Sequence, residues 1–445
     1  MKRGDTMPQN ALSVITRIKP AELSALETLL DAIGRQVDYA VQGYDAGGVA
    51  SETPYISFKD LTTIHFACWV VIRSTADSAN PSNVYPDTLV LETNYDGNPE
   101  AHLDELIAKG GKALDAIYAH CEGWPAEGTK NPQAAKQYLK SNSVPSAAFY
   151  VGCPGQTRDS VYNARAVREE LETYLDTAQQ QEPFAKLSPE QVRQKLLGYL
   201  KGAPTQPQIS PETLDAQSRR AKRNIVLAVL IGLPVVLLLL PLLLIWYIVL
   251  RIHETRDNNA PLPPPLPVDP RLFGKEDIWV QNHLTTLVEV KPGAFRLYTL
   301  KVVLWLIELL AKTVFITGQL GGIPTIHFAR WLFMDKNRRL LFFSNYDGSW
   351  ASYLGDFVDK ANYGLTMVWS NTDRFPPTTN LAFGGAQHIE AFKEWSREHN
   401  VYAAVWYSAY PQETLRNLKN DVLIRDGITN PALSEAQVAD LLQIF

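Results

Sequence analysis

One apolar run dominates the pattern of the chain. Across residues 225–250 no side chain is charged, and most are Leu, Ile or Val. At about 1.5 Å per residue, a helix of that length exceeds the roughly 30 Å hydrocarbon core of a bilayer. Trp246 and Tyr247 stand near its end, where amphipathic rings favour a membrane interface. Arg219, Arg220, Lys222 and Arg223 precede the run, and Arg251 and Arg256 follow it. A soluble helix buried on every face would need a far larger protein around it. Pro234 and Pro241 lie inside, so the run reads as one kinked span or as two arms of a re-entrant hairpin. It is internal, and residues 1–9 are polar with no apolar signal region.

A second apolar stretch covers residues 297–320. Its charges, Lys301, Glu308 and Lys312, fall at steps of seven and four, on one side of a helix. This pattern predicts an amphipathic helix lying in the headgroup region. A second span and a buried domain helix are the alternatives. Elsewhere, Leu23, Leu26, Leu30 and Ile33 keep a helical repeat within 20–39, and the Gly-rich stretch 41–55 reads as a loop. Ser188 followed by Gln191 marks a capped helix start. Six prolines in 260–270 predict an extended spacer.

The two remaining α/β regions repeat each other. Ile64-His65-Phe66-Ala67-Cys68-Trp69 matches Ile326-His327-Phe328-Ala329-Arg330-Trp331, and Asn94-Tyr95-Asp96-Gly97 matches Asn345-Tyr346-Asp347-Gly348. The second match runs on without a gap through Leu103 on Leu354, Lys109 on Lys360 and Pro125 on Pro376. Later, Phe149-Tyr150 falls on Trp406-Tyr407 and Pro154 on Pro411. Blocks in one order indicate duplication. Each unit predicts two early strands, a helix after the Asp-Gly turn, a late strand and a final helix.

That order resembles the ferredoxin-like split βαβ fold, and two such units in one chain resemble a fused version of the dimeric α+β barrel superfamily. The resemblance implies an α+β protein whose two tandem units form a pseudo-dimer, with an inserted membrane segment and an interfacial helix. The predicted segments are 1–56, N-terminal helix and loop; 57–180, first unit; 181–223, helical linker with basic cluster; 224–250, membrane segment; 251–296, Pro-rich spacer; 297–320, interfacial helix; and 321–445, second unit. Halves that pack together need one compartment. The basic cluster and the three cysteines without a pairing scheme predict a bacterial-type inner membrane with both units on the cytoplasmic face. A bitopic chain with an external C-terminal half is the rival.

Candidate chemistry follows the repeat. Strand alternation predicts His65, Ala67 and Trp69 on one face, and His327, Ala329 and Trp331 on the matching face. Facing an inter-sheet cavity, His65, Trp331, Tyr346 and Trp406 would bind an apolar or lipid-like molecule, the histidines could act as acid and base, and His327, Asp347 and Arg330 are the candidate catalytic residues. The plainer reading is hydrogen-bonded core histidines and Asp96 and Asp347 as caps of the following helices. Arg330, in place of Cys68, would pair with Asp347, hold an anion or face solvent. Within the same superfamily, the dye-decolorising peroxidases carry a distal Asp in Gly-x-x-Asp-Gly. Asp347-Gly348 is similar, with Ser344 in place of the first Gly. That resemblance implies haem, with His388 or His399 as the proximal ligand.

Composition then narrows the classes. The 445 residues carry 42 basic and 47 acidic side chains, a formal net charge of −5, and mean hydropathy is −0.14. The balance argues against a nucleic-acid binder. No Walker, Rossmann, zinc or nucleophile-elbow motif occurs. The sequence predicts a membrane-attached binding or scaffold protein, with a haem-dependent oxidoreductase as the alternative. Its partners would be the lipid bilayer, an apolar small molecule and, as an open option, a second copy of itself.

Overall fold

The computed structural model describes residues 9–42, 53–181, 184–259, 264–274, 276 and 278–445. The protein is mixed α+β, and two four-stranded antiparallel sheets carry it. The first half supplies β1 (Gln9–Arg17), α1 (Leu23–Gln42), β2 (Ile64–Ile72), β3 (Thr88–Asp96), α2 (Pro99–Tyr118), α3 (Pro132–Ser141), β4 (Ala148–Val151) and α4 (Arg158–Gln181). Two connecting helices follow, α5 (Pro189–Leu200) and α6 (Leu214–Asn258). The second half supplies β5 (Gln281–Glu289), α7 (Ala294–Thr313), β6 (Ile326–Met334), β7 (Arg339–Asp347), α8 (Trp350–Trp369), α9 (Ile389–Glu398), β8 (Ala403–Ser408), α10 (Leu415–Thr429) and α11 (Glu435–Leu442).

The sheet orders are β1-β3-β2-β8 and β5-β7-β6-β4. In each, the fourth strand comes from the other half. β8 pairs with β2, setting Trp406 opposite Cys68. β4 pairs with β6, setting Phe149 opposite Arg330. The sequence pattern placed both late strands correctly, but their partners lie across the molecule. α1 packs on β8 and α7 on β4, so the exchanged strands are covered by helices of the receiving half.

The central strands read as continuous apolar runs because both faces are buried. Trp69 packs outward against Leu26, Leu30 and Leu114 of the helical layer. Trp331 does the same beneath α8, near Leu354 and Trp369. Between the sheets, Cys68, Val70 and Ile72 meet Leu332, Met334 and Phe343. A compact helical cluster joins α4, α5, α10 and α11 through Leu171, Leu196 and Ile424. The capping box at Ser188 and Gln191 is present, as its spacing predicts.

Two expectations change. β1 places Gln9–Arg17, within the predicted N-terminal segment 1–56, in the first sheet, and β5 places Gln281–Glu289, within the predicted 251–296 spacer, in the second. β1 and β5 had escaped detection because polar and apolar residues mix in both. Their shared Gln-Asn start is structural: Asn10 Nδ2 donates to Gly97 O (2.8 Å) and Asn282 Nδ2 to Gly348 O (2.8 Å). The predicted interfacial stretch is α7, which stands where α1 stands in the first half. Its inner face, including Leu300 and Leu304, is buried. Glu308 of its charged stripe accepts a hydrogen bond from Phe149 N on β4 (2.6 Å). Its outer face exposes Tyr298, Val302, Trp305, Leu306, Leu309 and Leu310.

α6 is one continuous helix of 45 residues, not a hairpin, and Pro234 and Pro241 lie within it. Thr213 caps it by accepting from Ala216 N. The loop expected at 41–55 falls mostly outside the described residues, as do Pro261 and Pro263.

Strand exchange predicts how the chain responds to a cut. A protease site placed in the exposed 264–267 segment should yield two fragments that co-elute in size-exclusion chromatography without denaturant and separate in it. Fragments that part under native conditions would contradict the exchanged pairing.

Candidate functional site

Both repeat histidines sit at a β-bulge. The register of β2 against β3 slips between Ile64 and Phe66, and that of β6 against β7 between Ile326 and Phe328. A bulge adds a residue to one strand and re-aims its side chains. This corrects the expected alternation: His65 and His327 do not share a face with Trp69 and Trp331. They turn toward the opposite sheet. His65 packs on Phe328 and His327 on Phe66, each with ring centroids 5.4 Å apart.

Each histidine meets the aspartate of its own unit. His327 Nε2 lies 2.6 Å from Asp347 Oδ1. His65 Nε2 lies 2.9 Å from Asp96 Oδ1. The outer oxygens do a second job. Asp96 Oδ2 accepts from Arg158 N (2.7 Å), the first residue of α4, and Asp347 Oδ2 accepts from Leu415 N (2.8 Å), the first residue of α10. Helix N-termini favour an ionised carboxylate. The capping expectation therefore holds in kind but not in place. The following helices α2 and α8 are capped by Asn98 and Ser349, and the aspartates serve remote helices.

Tyr410 stands between the two dyads, its hydroxyl 2.9 Å from His65 Nδ1. Gln281 Nε2 lies 3.4 Å from His327 Nε2 and donates to Tyr410 O (3.1 Å). His65 and His327 are 1% and 2% exposed, and Phe66, Cys153, Phe328 and Leu415 close around them. Burial also pushes the Tyr410 hydroxyl well above its usual range and the Cys153 thiol up to about 11. The groups that could move a proton are packed together among buried side chains. Trp331 packs on Phe342 at 4.5 Å and Tyr346 stacks on Tyr353 at 3.8 Å.

Arg330 neither faces solvent nor reaches Asp347. It is 2% exposed, and Nη2 donates to Val144 O (3.1 Å). Its opposing charge is Glu92 on the other sheet, a residue the sequence reading passed over. Burial raises the Glu92 carboxyl to about 7, with Arg330 and Asn94 opposing the rise. Burial lowers Arg330 to about 10, which Glu92 partly offsets. A chain of polar contacts extends from this pair. Asn94 Nδ2 donates to Glu92 Oε1 (2.7 Å) and Asn345 Nδ2 to Asn94 Oδ1 (3.0 Å). Asn345 Oδ1 also meets His283 Nδ1 (2.9 Å) and accepts from Trp406 Nε1 (2.9 Å). His283 Nε2 lies 2.8 Å from Thr285 Oγ1 and 3.6 Å from Cys68 Sγ. A signal was available: Glu92 directly follows the apolar run Leu89-Val90-Leu91, and Arg330 stands between apolar residues in β6.

The haem candidates do not fit the group. His399 is buried, its Nδ1 2.7 Å from Trp395 O, and burial lowers it to about 4. The cavity it borders, with Leu287 and Tyr402, holds about 270 Å³, under the roughly 300 Å³ floor of small-molecule sites. His388 stands at the start of α9, and Gly384, Gly385 and Phe392 surround its segment. Neither shares a contact with Asp347. Among the described residues no group of His, Cys, Asp and Glu could hold a metal ion. Comparison with protein-family models, curated proteins and solved structures found no match.

The network makes two expectations. Glu92 is raised in the folded state, so its contribution to stability is full below about 4.5 and is lost as pH rises to about 7. The stability difference between wild type and Glu92→Gln, from urea unfolding, should therefore fall by about 3 kcal/mol across that window. The lowered His102, His283 and His399 act oppositely but are common to both proteins. A flat difference curve would contradict the assignment. Separately, Asp347→Asn should cost about 2–4 kcal/mol in the same assay at pH 7, because it weakens both the His327 contact and the α10 cap.

Proposed function

We propose that the protein is a membrane-attached scaffold built from a duplicated ferredoxin-like module of the dimeric α+β barrel kind. The observation that carries this reading is the apolar surface. Between Ile225 and Ile248 nearly every side chain of α6 is exposed in the folded protein, with Leu238 at 79%. Burying that surface stabilises by about 25 cal/mol per Å², and hydrocarbon is the solvent that accepts a helix apolar on all sides. Among the described residues one helix is long and apolar enough to cross a membrane.

Duplication is supported by contacts that recur at repeat positions. Tyr95 stacks on His102 as Tyr346 stacks on Tyr353. Thr93 Oγ1 bonds His102 Nε2 as Ser344 Oγ bonds the Tyr353 hydroxyl. The His-Asp dyads, the remote helix caps and the exchanged strands also come in pairs. The closed dyads favour a structural part for His65 and His327 over ligand binding or oxidoreductase chemistry. Three buried, unpaired cysteines accord with a reducing compartment, and the exposed cluster Arg219, Arg220, Lys222 and Arg223 accords with an anionic cytoplasmic leaflet.

Flotation tests the reading. Full-length protein mixed with phosphatidylglycerol-containing vesicles should rise with them in a density gradient and stay bound in 1 M salt. Recovery at the bottom of the gradient would overturn it.

A further inference from the structure

We infer that α6 does not cross the bilayer: it lies along one leaflet as a shallow arch, with both halves of the chain on the same side. This rests on the membrane reading above and concerns how the helix is held.

Both ends of the apolar run are fastened to the same helix of the folded body. At the start, Asn224 Nδ2 donates to Thr313 O (2.9 Å), at the C-terminal end of α7. At the finish, Trp246 Nε1 donates to Thr299 Oγ1 (3.0 Å), near the N-terminal end of α7. Beyond that point His253 stacks on Phe295 at 4.9 Å, and Asp257 pairs with Lys291 (3.0 Å) and Arg296. α6 therefore runs antiparallel to α7. α7 in turn rests its inner face on β4 and its sheet. Were α6 to stand across the membrane, α7 and the sheet beneath it would stand in the hydrocarbon too. That sheet carries the buried charges Arg330 and Arg339 and a hydrogen-bonded polar network.

Strand exchange excludes crossing independently. β4 precedes α6 and completes the sheet of β5, β6 and β7, which follow it. A single crossing would have to pull these strands to opposite sides.

The lengths describe the shape. Asn224 and Trp246 are about 33 Å apart along α6, and Thr299 and Thr313 about 21 Å apart along α7, at 1.5 Å per residue. Side-chain reach and a bend must take up the difference. Pro234 and Pro241 lie between the two fastenings, and proline is the usual site of a helix bend. The middle of α6 is the part least held by protein. Its side chains are almost all exposed, as are Val302, Trp305, Leu306, Leu309 and Leu310 on the outer face of α7, so both helices offer apolar surface. The basic residues before the run and Arg251 and Arg256 after it bracket that surface at both ends, which suits anionic headgroups on a single side.

Nitroxide labels test the arch. Single cysteines would replace Lys222, Leu230, Leu238, Ile245 and Arg256 in the full chain; the three native cysteines are buried. The labelled protein is added to preformed phosphatidylglycerol and phosphatidylethanolamine vesicles. Collision with oxygen and with an external nickel chelate then reports depth. The arch places 230, 238 and 245 within about 10 Å of the phosphates, and exposes 222 and 256 both to the external chelate. Exposure of only one of those two ends, with 238 at the midplane about 15 Å deep, would overturn the arch and leave the membrane reading standing. Free access of the chelate to all five labels would overturn the membrane reading itself. Labels at 230, 238 and 245 shielded from oxygen and chelate alike would place a second copy of the chain on α6, and would overturn the arch.

Discussion

The rest of the architecture depends on the exchange of one edge strand in each direction. A four-residue strand, β4, and a six-residue strand, β8, leave their own halves and complete the other half's sheet. Each brings its ladder of backbone hydrogen bonds and covers an edge that would otherwise stay open. The helices that follow go with them. α4 and α10 pack on one another, and their first amides are held by Asp96 and Asp347 of the sheets they have left. Neither half has a complete sheet without the other.

The bulges give the dyads their place. An extra residue at His65 and at His327 turns each ring toward the opposite sheet. The ring then reaches an aspartate whose other oxygen is committed to a helix. Sheet, crossing chain and helix thus meet at one carboxylate in each half. This geometry accounts for the repeat of His and Asp through packing and polar satisfaction. In the second half the buried carboxylate has a hydrogen-bonded histidine on one oxygen and a helix amide on the other; in the first half His65 lies against Asp96 as a close polar contact.

Much of this was legible in the sequence. The helical period of α1, the cap of α5, the apolar run of α6 and the paired blocks around His65 and His327 are local patterns, and local patterns survive folding. What escaped was non-local. β1 and β5 carry polar residues on both faces, so period alone does not mark them. The partner of a short late strand is decided by the whole tertiary assembly, and β4 and β8 carry too few residues to advertise it. The bulges escaped because alternation assumes an unbroken ladder. Arg330 stands out as a charge in an apolar strand, while its opposing charge Glu92 lies far away in the chain and faces it only when the sheets come together.

That pair is also where the halves stop resembling each other. On the proposed duplication, Arg330 stands at the position of Cys68, and Glu92 at the position of Phe343. Two identical subunits facing one another would have to bury two arginines or two glutamates, and like charges in a low-dielectric space repel strongly. A fused chain is free of that symmetry. One half carries the arginine and the other the glutamate, and each feels the opposite charge across the interface. The hydrogen-bonded path through Asn94, Asn345 and His283 differs between the halves in the same way, since Ala11 stands where β5 has His283. The interface between the sheets is thus specific to one pairing of two unlike faces, a specificity that a symmetric assembly of either half could not reach.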